Sequence, residues 1–238
     1  MLQPAEVDRL LVIVAHPDDV DFGSAGTMAT LTAHGVHVTY CLVTDGDAGG
    51  SDRAMSRPEM ASMRRKEQTA AAAAVGVEDL VFLGHPDGRV ESNLALRCDL
   101  SRVIRQVRPK VVMCQSPDRN YDRIFASHPD HLAAGDAALC AVYPDSRNPF
   151  AFPELLEEGL EPWTVDEVWI SGHPTMTDVV DVTDSIDRKF EALLCHASQL
   201  PDPAGMEARV RQWMAATASA HGLAEGRFAE GYRVMRLV

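Results

Sequence analysis

The sequence lacks several devices on which common functions rest. It contains no CxxC pair, and its five cysteines (Cys41, Cys98, Cys114, Cys140, Cys195) are odd in number and widely spaced. That argues against a disulfide framework or a thiolate zinc site, and for reduced, buried thiols in the cytoplasm. There is no GxGxxG fingerprint and no P-loop, so no ligand rests on a glycine phosphate cradle. The first apolar run, Leu10–Ala15, is too short to cross a bilayer or to form a signal core, and no basic segment precedes it. Basic residues are scarce: 22 Lys and Arg stand against 35 Asp and Glu, a net charge of −13. Such a surface repels phosphate backbones and anionic membranes, which speaks against a nucleic-acid partner and stable membrane insertion.

What remains is an ordinary globular composition, 46% hydrophobic and 24% charged over 238 residues. It suits a single domain across 1–238, with a core over about 9–143 and later elements that complete the site. Short apolar runs alternate with helical stretches. Strands are predicted at Arg9–Ala15, His37–Val43, Leu80–Leu83 and Lys110–Gln115. Helices are predicted at Gly23–His34, Pro58–Val75, Leu94–Val107 and His131–Tyr143. After Pro144 the rhythm loosens: strands are expected at Val165–Ser171, Asp178–Val182 and Tyr232–Leu237, and helices at Ser185–Ser198 and Met206–Ala220. Strand–helix alternation implies an α/β fold, a Rossmann-like three-layer sandwich with a mostly parallel sheet. Asp45–Pro58 and Asp118–Ser127 read as long loops that could wall a site.

Three His-Pro-Asp triplets occur, at His16-Pro17-Asp18, His85-Pro86-Asp87 and His128-Pro129-Asp130, each after a predicted strand. Random order would give on the order of a twentieth of one such triplet. In an open parallel sheet, ligands sit beyond the carboxyl ends of strands. His16-Pro17-Asp18-Asp19 and His128-Pro129-Asp130-His131 therefore point to one rim. Their imidazoles and carboxylates form a normal zinc shell with room for a water; iron(II) or another divalent ion could take the same donors. The alternative for Asp18, Asp19 and Asp130 is helix capping, for which Asp is favoured. For His85 and Asp87 it is a polar turn after an edge strand. His173 reads as a loop residue, His34, His37 and His221 as solvated, and His196 equally as a packed helical histidine or a substrate contact.

AHPDD after an apolar first strand, with HPDH about a hundred residues later, resembles the PIG-L/LmbE-like metal-dependent N-deacetylases, which remove acetyl groups from glucosamine-containing conjugates. The likeness extends to Arg64-Arg65-Lys66-Glu67, to Phe82–Gly88 and to His196-Ala197-Ser198-Gln199. The stretches around Ser127–Tyr143 and Phe152–Leu156 look like actinobacterial members. The resemblance implies His16, Asp19 and His131 as metal ligands and Asp18 as general base. His128 would be a protonated imidazole that stabilises the oxyanion or protonates the amine, with Asp130 orienting it. Arg64, Asp87 and Asp47 would touch a small N-acylated sugar or conjugate. A homo-oligomer is compatible with the resemblance. Some relatives carry a tyrosine where this chain has Ala126, so either Tyr121 substitutes or metal and His128 polarise the carbonyl alone. Rival readings are a metal-dependent amidase or esterase on a non-sugar or thiol-conjugate acyl compound, and a non-catalytic metal-holding protein. A dinuclear phosphoesterase would need more ligands than the two clusters offer.

Overall fold

A computed structural model describes residues 1–50, 52 and 54–238. In chain order the elements are β1 (Arg9–Val14), α1 (Asp19–Ala33), β2 (His37–Thr44), α2 (Arg57–Ala74), β3 (Asp79–His85), α3 (Leu94–Val107), β4 (Val111–Gln115), α4 (Pro129–Val142), α5 (Glu154–Glu157), β5 (Glu167–Ser171), β6 (Asp178–Asp181), α6 (Ile186–Leu194), α7 (Pro203–Ala220) and β7 (Ala229–Arg236). Short 3-10 turns join several of them.

The strands form a seven-stranded sheet in the order β3-β2-β1-β4-β5-β7-β6. Neighbours from β3 to β5 pair in parallel, and β7 runs antiparallel to β5 and β6. The expected α/β architecture is thus present. The reversal of strand order beside β1 opens a crevice at the carboxyl ends of β1 and β4.

The alternation of side chains across the pleat sets the layers. Leu10, Val12 and Val14 of β1 pack with Met28 of α1 and Ala71 and Ala72 of α2. Leu11 and Ile13 pack on the opposite face with Leu100 and Ile104 of α3 and Ala137 and Ala138 of α4. A third cluster joins α6 and α7 through Phe190, Leu193, Val210 and Met214.

Several element bounds differ from those predicted. Helix α1 begins at Asp19, four residues before the expected Gly23, because the HPDD turn runs straight into the helix. Its periodicity is hidden because Asp21, Ser24 and Thr27 are buried polar residues. Helix α6 stops at Leu194, short of the predicted Ser198. His196 and Ser198 leave the helix to bond Asp21 and Glu67. Strand β3 extends to His85, which pairs with Thr44 after a register shift. The predicted 45–58 loop is present apart from Ser51 and Arg53, which lie outside the described residues.

Candidate active site

Two chain segments reach the crevice. The turn after β1 is fastened from several sides. Gln115 Oε1 accepts from Ala15 N–H at 2.9 Å, Thr44 N–H donates to Ala15 O at 2.9 Å, and Arg64 Nη2 donates to Pro17 O. Helix α4 approaches closely because Gly135 has no side chain: a Cβ there would stand 2.3 Å from Gln115 O. That contact presses the first turn of α4, with His131, against the end of β4.

The result is a tight donor set. His16 Nδ1 lies 3.3 Å from His131 Nε2 and 3.3 Å from Asp19 Oδ2, and His131 Nε2 lies 3.0 Å from Asp19 Oδ1. The vertices of a tetrahedron with bonds of about 2.0–2.1 Å are about 3.3–3.4 Å apart, so these three donors fit one zinc-sized ion. The ligating atoms of His16, His128 and His131 also lie within 4.8 Å of one another, which brings His128 to the same point.

The charge states follow from packing. Burial disfavours a charged His16, but the carboxylates of Asp19 and Asp87 outweigh it and raise its pKa to about 11. Burial opposes ionisation of Asp19 as well, yet His131 and His16 hold its carboxyl well below the usual range.

Asp18 is the one non-glycine residue of this turn with a left-handed backbone, at φ 89°. Strain of this kind costs on the order of 1–3 kcal/mol and collects at functional sites. Its side chain makes no capping hydrogen bond, so the capping alternative fails here. Instead Asp18 Oδ2 accepts from Arg64 Nη2 at 3.0 Å, and its side chain is 17% exposed. Burial first, and then the charge of Asp19, push its pKa up to about 7. A carboxylate beside such a donor set is placed to accept and return a proton.

His128 caps α4. Its Nδ1 accepts from Asp130 N–H at 3.2 Å, which leaves the proton on Nε2 of a neutral ring. Burial and the neighbouring His16 and His131 lower its pKa. That geometry fits a neutral ring where an imidazolium is expected. Asp130 orients this ring through its backbone N–H, while its carboxylate is hydrogen-bonded elsewhere. Asp130 accepts from Gly88 N–H at 2.7 Å and Val90 N–H at 3.3 Å, and stands 3.2 Å from His16 Nε2.

The three residues expected at the substrate are placed differently. Arg64 is buried and donates to Gly46 O, Pro17 O and Asp18, so it is not a solvated surface charge. Asp87 accepts from Ala48 N–H at 2.9 Å and lies 3.1 Å from His16 Nε2, behind the ligand ring. Asp47 forms an ion pair with Arg57 at 2.7 Å. It lines a depression of about 310 Å³ with Asp45, Arg57, His85 and Arg89, beside the ends of β2 and β3 and apart from the metal-ligand cluster. Tyr121, the tyrosine that could stand in for the one missing at Ala126, is 84% exposed.

Other histidines are accounted for locally. His85 pairs with Asp99 at 3.1 Å and His173 with Asp118 at 3.1 Å. His34, His37 and His221 are exposed. Two buried residues beneath the site, Gln68 and Asp21, were not singled out from sequence; their only signal is position, next to Glu67 and two residues after Asp19.

The profile of the PIG-L family, described as GlcNAc-PI de-N-acetylase, matches residues 11–142. The diacetylchitobiose deacetylase of Thermococcus kodakarensis is 32% identical over 83% of this chain and 72% of its own length. The 1D-myo-inositol 2-acetamido-2-deoxy-alpha-D-glucopyranoside deacetylase of Rhodococcus jostii is 31% identical, over 84% of each chain. The solved structure of N,N'-diacetylchitobiose deacetylase from Pyrococcus horikoshii superposes with a TM-score of 0.90 at 31% identity, covering 98% of this chain and 85% of that one. With more than half of its length matched by the family profile and relatives of this similarity, the chain belongs to the PIG-L family of de-N-acetylases.

Proposed function

We propose that this protein is a metal-dependent N-deacetylase that hydrolyses the N-acetyl amide of a glucosamine-type sugar or conjugate. The observation that carries the reading is the donor triangle of His16, Asp19 and His131, with the free carboxylate of Asp18 beside it. The relatives named above, which act on diacetylchitobiose and on a glucosamine–inositol, support the sugar. His16, Asp19 and His131 would hold the ion. Zinc suits two imidazoles and a carboxylate, and iron(II) or another divalent ion accepts the same donors. When bound, the ion lowers the pKa of water from near 16 to about 7 and polarises the amide oxygen.

The remaining work falls to the chain. Asp18 takes a proton from the attacking water. His128 donates its Nε2–H to the oxygen that gains negative charge, a contribution of roughly 3 kcal/mol for a good donor. A neutral His128 has no spare proton for the leaving group, so Asp18 returns the proton it accepted to the nitrogen. The C–N bond breaks to give acetate and a primary amine. Arg64 steadies Asp18 and keeps part of its charge compensated. A free carboxylate beside the ligands is not needed merely to hold metal, which favours an enzyme over a storage protein. Unpaired thiols at all five cysteines support a reducing compartment, the cytoplasm. Among the described residues no helix is long and apolar enough to cross a membrane.

The test joins metal quantification to a primary-amine release assay across N-acylated glucosamine conjugates. Amine release by the wild type and its loss in Asp18→Asn with metal retained are the expected results. Release only from non-sugar acyl compounds would transfer the reading to an amidase or esterase. Retained metal with no turnover on either class would leave a metal-holding protein.

A further inference from the structure

We propose that His196, Asp21 and Gln68 form a buried strut whose task is to hold Asp18 in its strained conformation, which makes them positioning residues for the reaction proposed above and rests on that reading. The chain of bonds is short and continuous. Asp18 N–H donates to Gln68 Oε1 at 2.8 Å. Gln68 Nε2 donates to Asp21 Oδ2 at 2.9 Å, and His196 Nε2 reaches the same oxygen at 2.8 Å. All three side chains are fully buried.

The polarity of this chain can run only one way. A carboxylate accepts and does not donate, so the amide nitrogen of Gln68 must face Asp21. Its carbonyl oxygen is thereby turned to the Asp18 amide. His196 presents Nε2–H to the carboxylate and fixes it from the far side. The far end of the strut is anchored where the chain leaves α6. Ser198 donates to Glu67 through its amide at 2.8 Å and its hydroxyl at 2.6 Å, which docks this segment on the helix that carries Gln68.

Asp21 Oδ1 and His196 Nδ1 are buried without a hydrogen-bond partner among the described residues. Both donors converge on the other carboxylate oxygen instead. The one strained residue at the end of this chain is Asp18. A displacement of about 1 Å at a reacting group can cost on the order of 100-fold in rate.

The experiment compares Gln68→Met and His196→Ala with His196→Gln, whose amide nitrogen can reach the position of Nε2. Folded, metal-loaded Gln68→Met and His196→Ala should lose about 10- to 100-fold in kcat with KM within about twofold of wild type. His196→Gln should recover most of that loss. Turnover of both damaged variants within twofold of wild type would overturn the strut. Hydrogen exchange of the Asp18 amide, followed by NMR, gives a readout that needs no substrate. It should quicken at least about tenfold in Gln68→Met and in His196→Ala while β1 amides stay protected, and an unchanged rate would overturn the strut even if one variant folds poorly. Failure of the wild type to release amine from any conjugate would sink the proposed function and leave the exchange result standing on its own.

Discussion

Asp87 Oδ1 stands 3.1 Å from His16 Nε2, on the side of the ring opposite the donor triangle, so a carboxylate expected at the substrate supports the His16 ring. Asp130 Oδ2 approaches the same nitrogen at 3.2 Å. Two buried carboxylates thus hold the proton on Nε2 and free Nδ1 for the ion. They also enrich the ring in electron density, as such outer partners of metal-bound histidines do. Asp87→Asn should weaken zinc binding by about 10- to 100-fold with the fold intact, measured by chelator competition. Asp130→Asn should weaken zinc as well and destabilise the protein, because the carboxylate also accepts from Gly88 and Val90 N–H. Wild-type zinc affinity in Asp87→Asn would show that His16 is oriented by other means.

Metal uptake should release protons. In the metal-free protein the Asp19 and Asp87 carboxylates, against the opposing effect of burial, raise the pKa of His16 to about 11. Burial opposes the charge on His131 too, but Asp19 raises its pKa overall. A ligating nitrogen must be deprotonated, so binding strengthens as pH rises, by about tenfold per pH unit for each proton displaced. Calorimetry of zinc binding in buffers of different ionisation enthalpy should count about one to two protons released at pH 7. A count of zero would mean that neither imidazole is charged before the metal arrives.

The parallel sheet and the convergence of His16, Asp19 and His131 were legible because they leave strong marks. Continuous apolar strands such as Arg9–Val14 are covered on both faces, and His-Pro-Asp is a rare triplet that falls at strand ends. The donor geometry of His16, Asp19 and His131 meets at one point as the two motifs imply. Roles assigned by charge type were less legible. Arg64, Asp47 and Asp87 have the chemistry of sugar contacts, but the same chemistry makes internal ion pairs and ring supports, and only packing decides between them. Gln68 and Asp21 were missed because a buried polar residue inside a helix has the same sequence appearance as a solvated one. His128 kept its place, but its protonation changed because the capping bond from Asp130 N–H could not be read from composition.

The buried pair Lys189–Glu230 should dominate stability. Lys189 Nζ donates to Glu230 at 2.8 Å and to the carbonyls of Asp21 and Phe22 at 2.7 and 2.8 Å, while Glu230 also accepts from Gly26 and Thr27. Both side chains are almost wholly inaccessible, at 0% and 1%. Removal of one partner strands a buried charge, which costs about 3–5 kcal/mol. Lys189→Met should lose that much in urea unfolding, and Lys189→Met with Glu230→Gln should lose less than the single change. A loss below about 1 kcal/mol would show that Glu230 takes up a proton or finds another partner.

His128 serves two ends, and the two can be separated by substitution. Its Nδ1 caps α4, and in the proposed reaction its Nε2–H serves the amide oxygen. His128→Ala removes both. It should cost about 0.5–2 kcal/mol in stability through the lost cap. It should also lower kcat by about 10²–10³ through the lost oxyanion donor, with metal retained. Asparagine is a good N-cap but too short to reach the oxyanion from that position. His128→Asn should therefore restore stability to near wild type and leave kcat as low as in the alanine variant. Recovery of activity together with stability would mean that His128 acts only through the helix it caps. Loss of the metal in both variants would instead place its ring among the ligands.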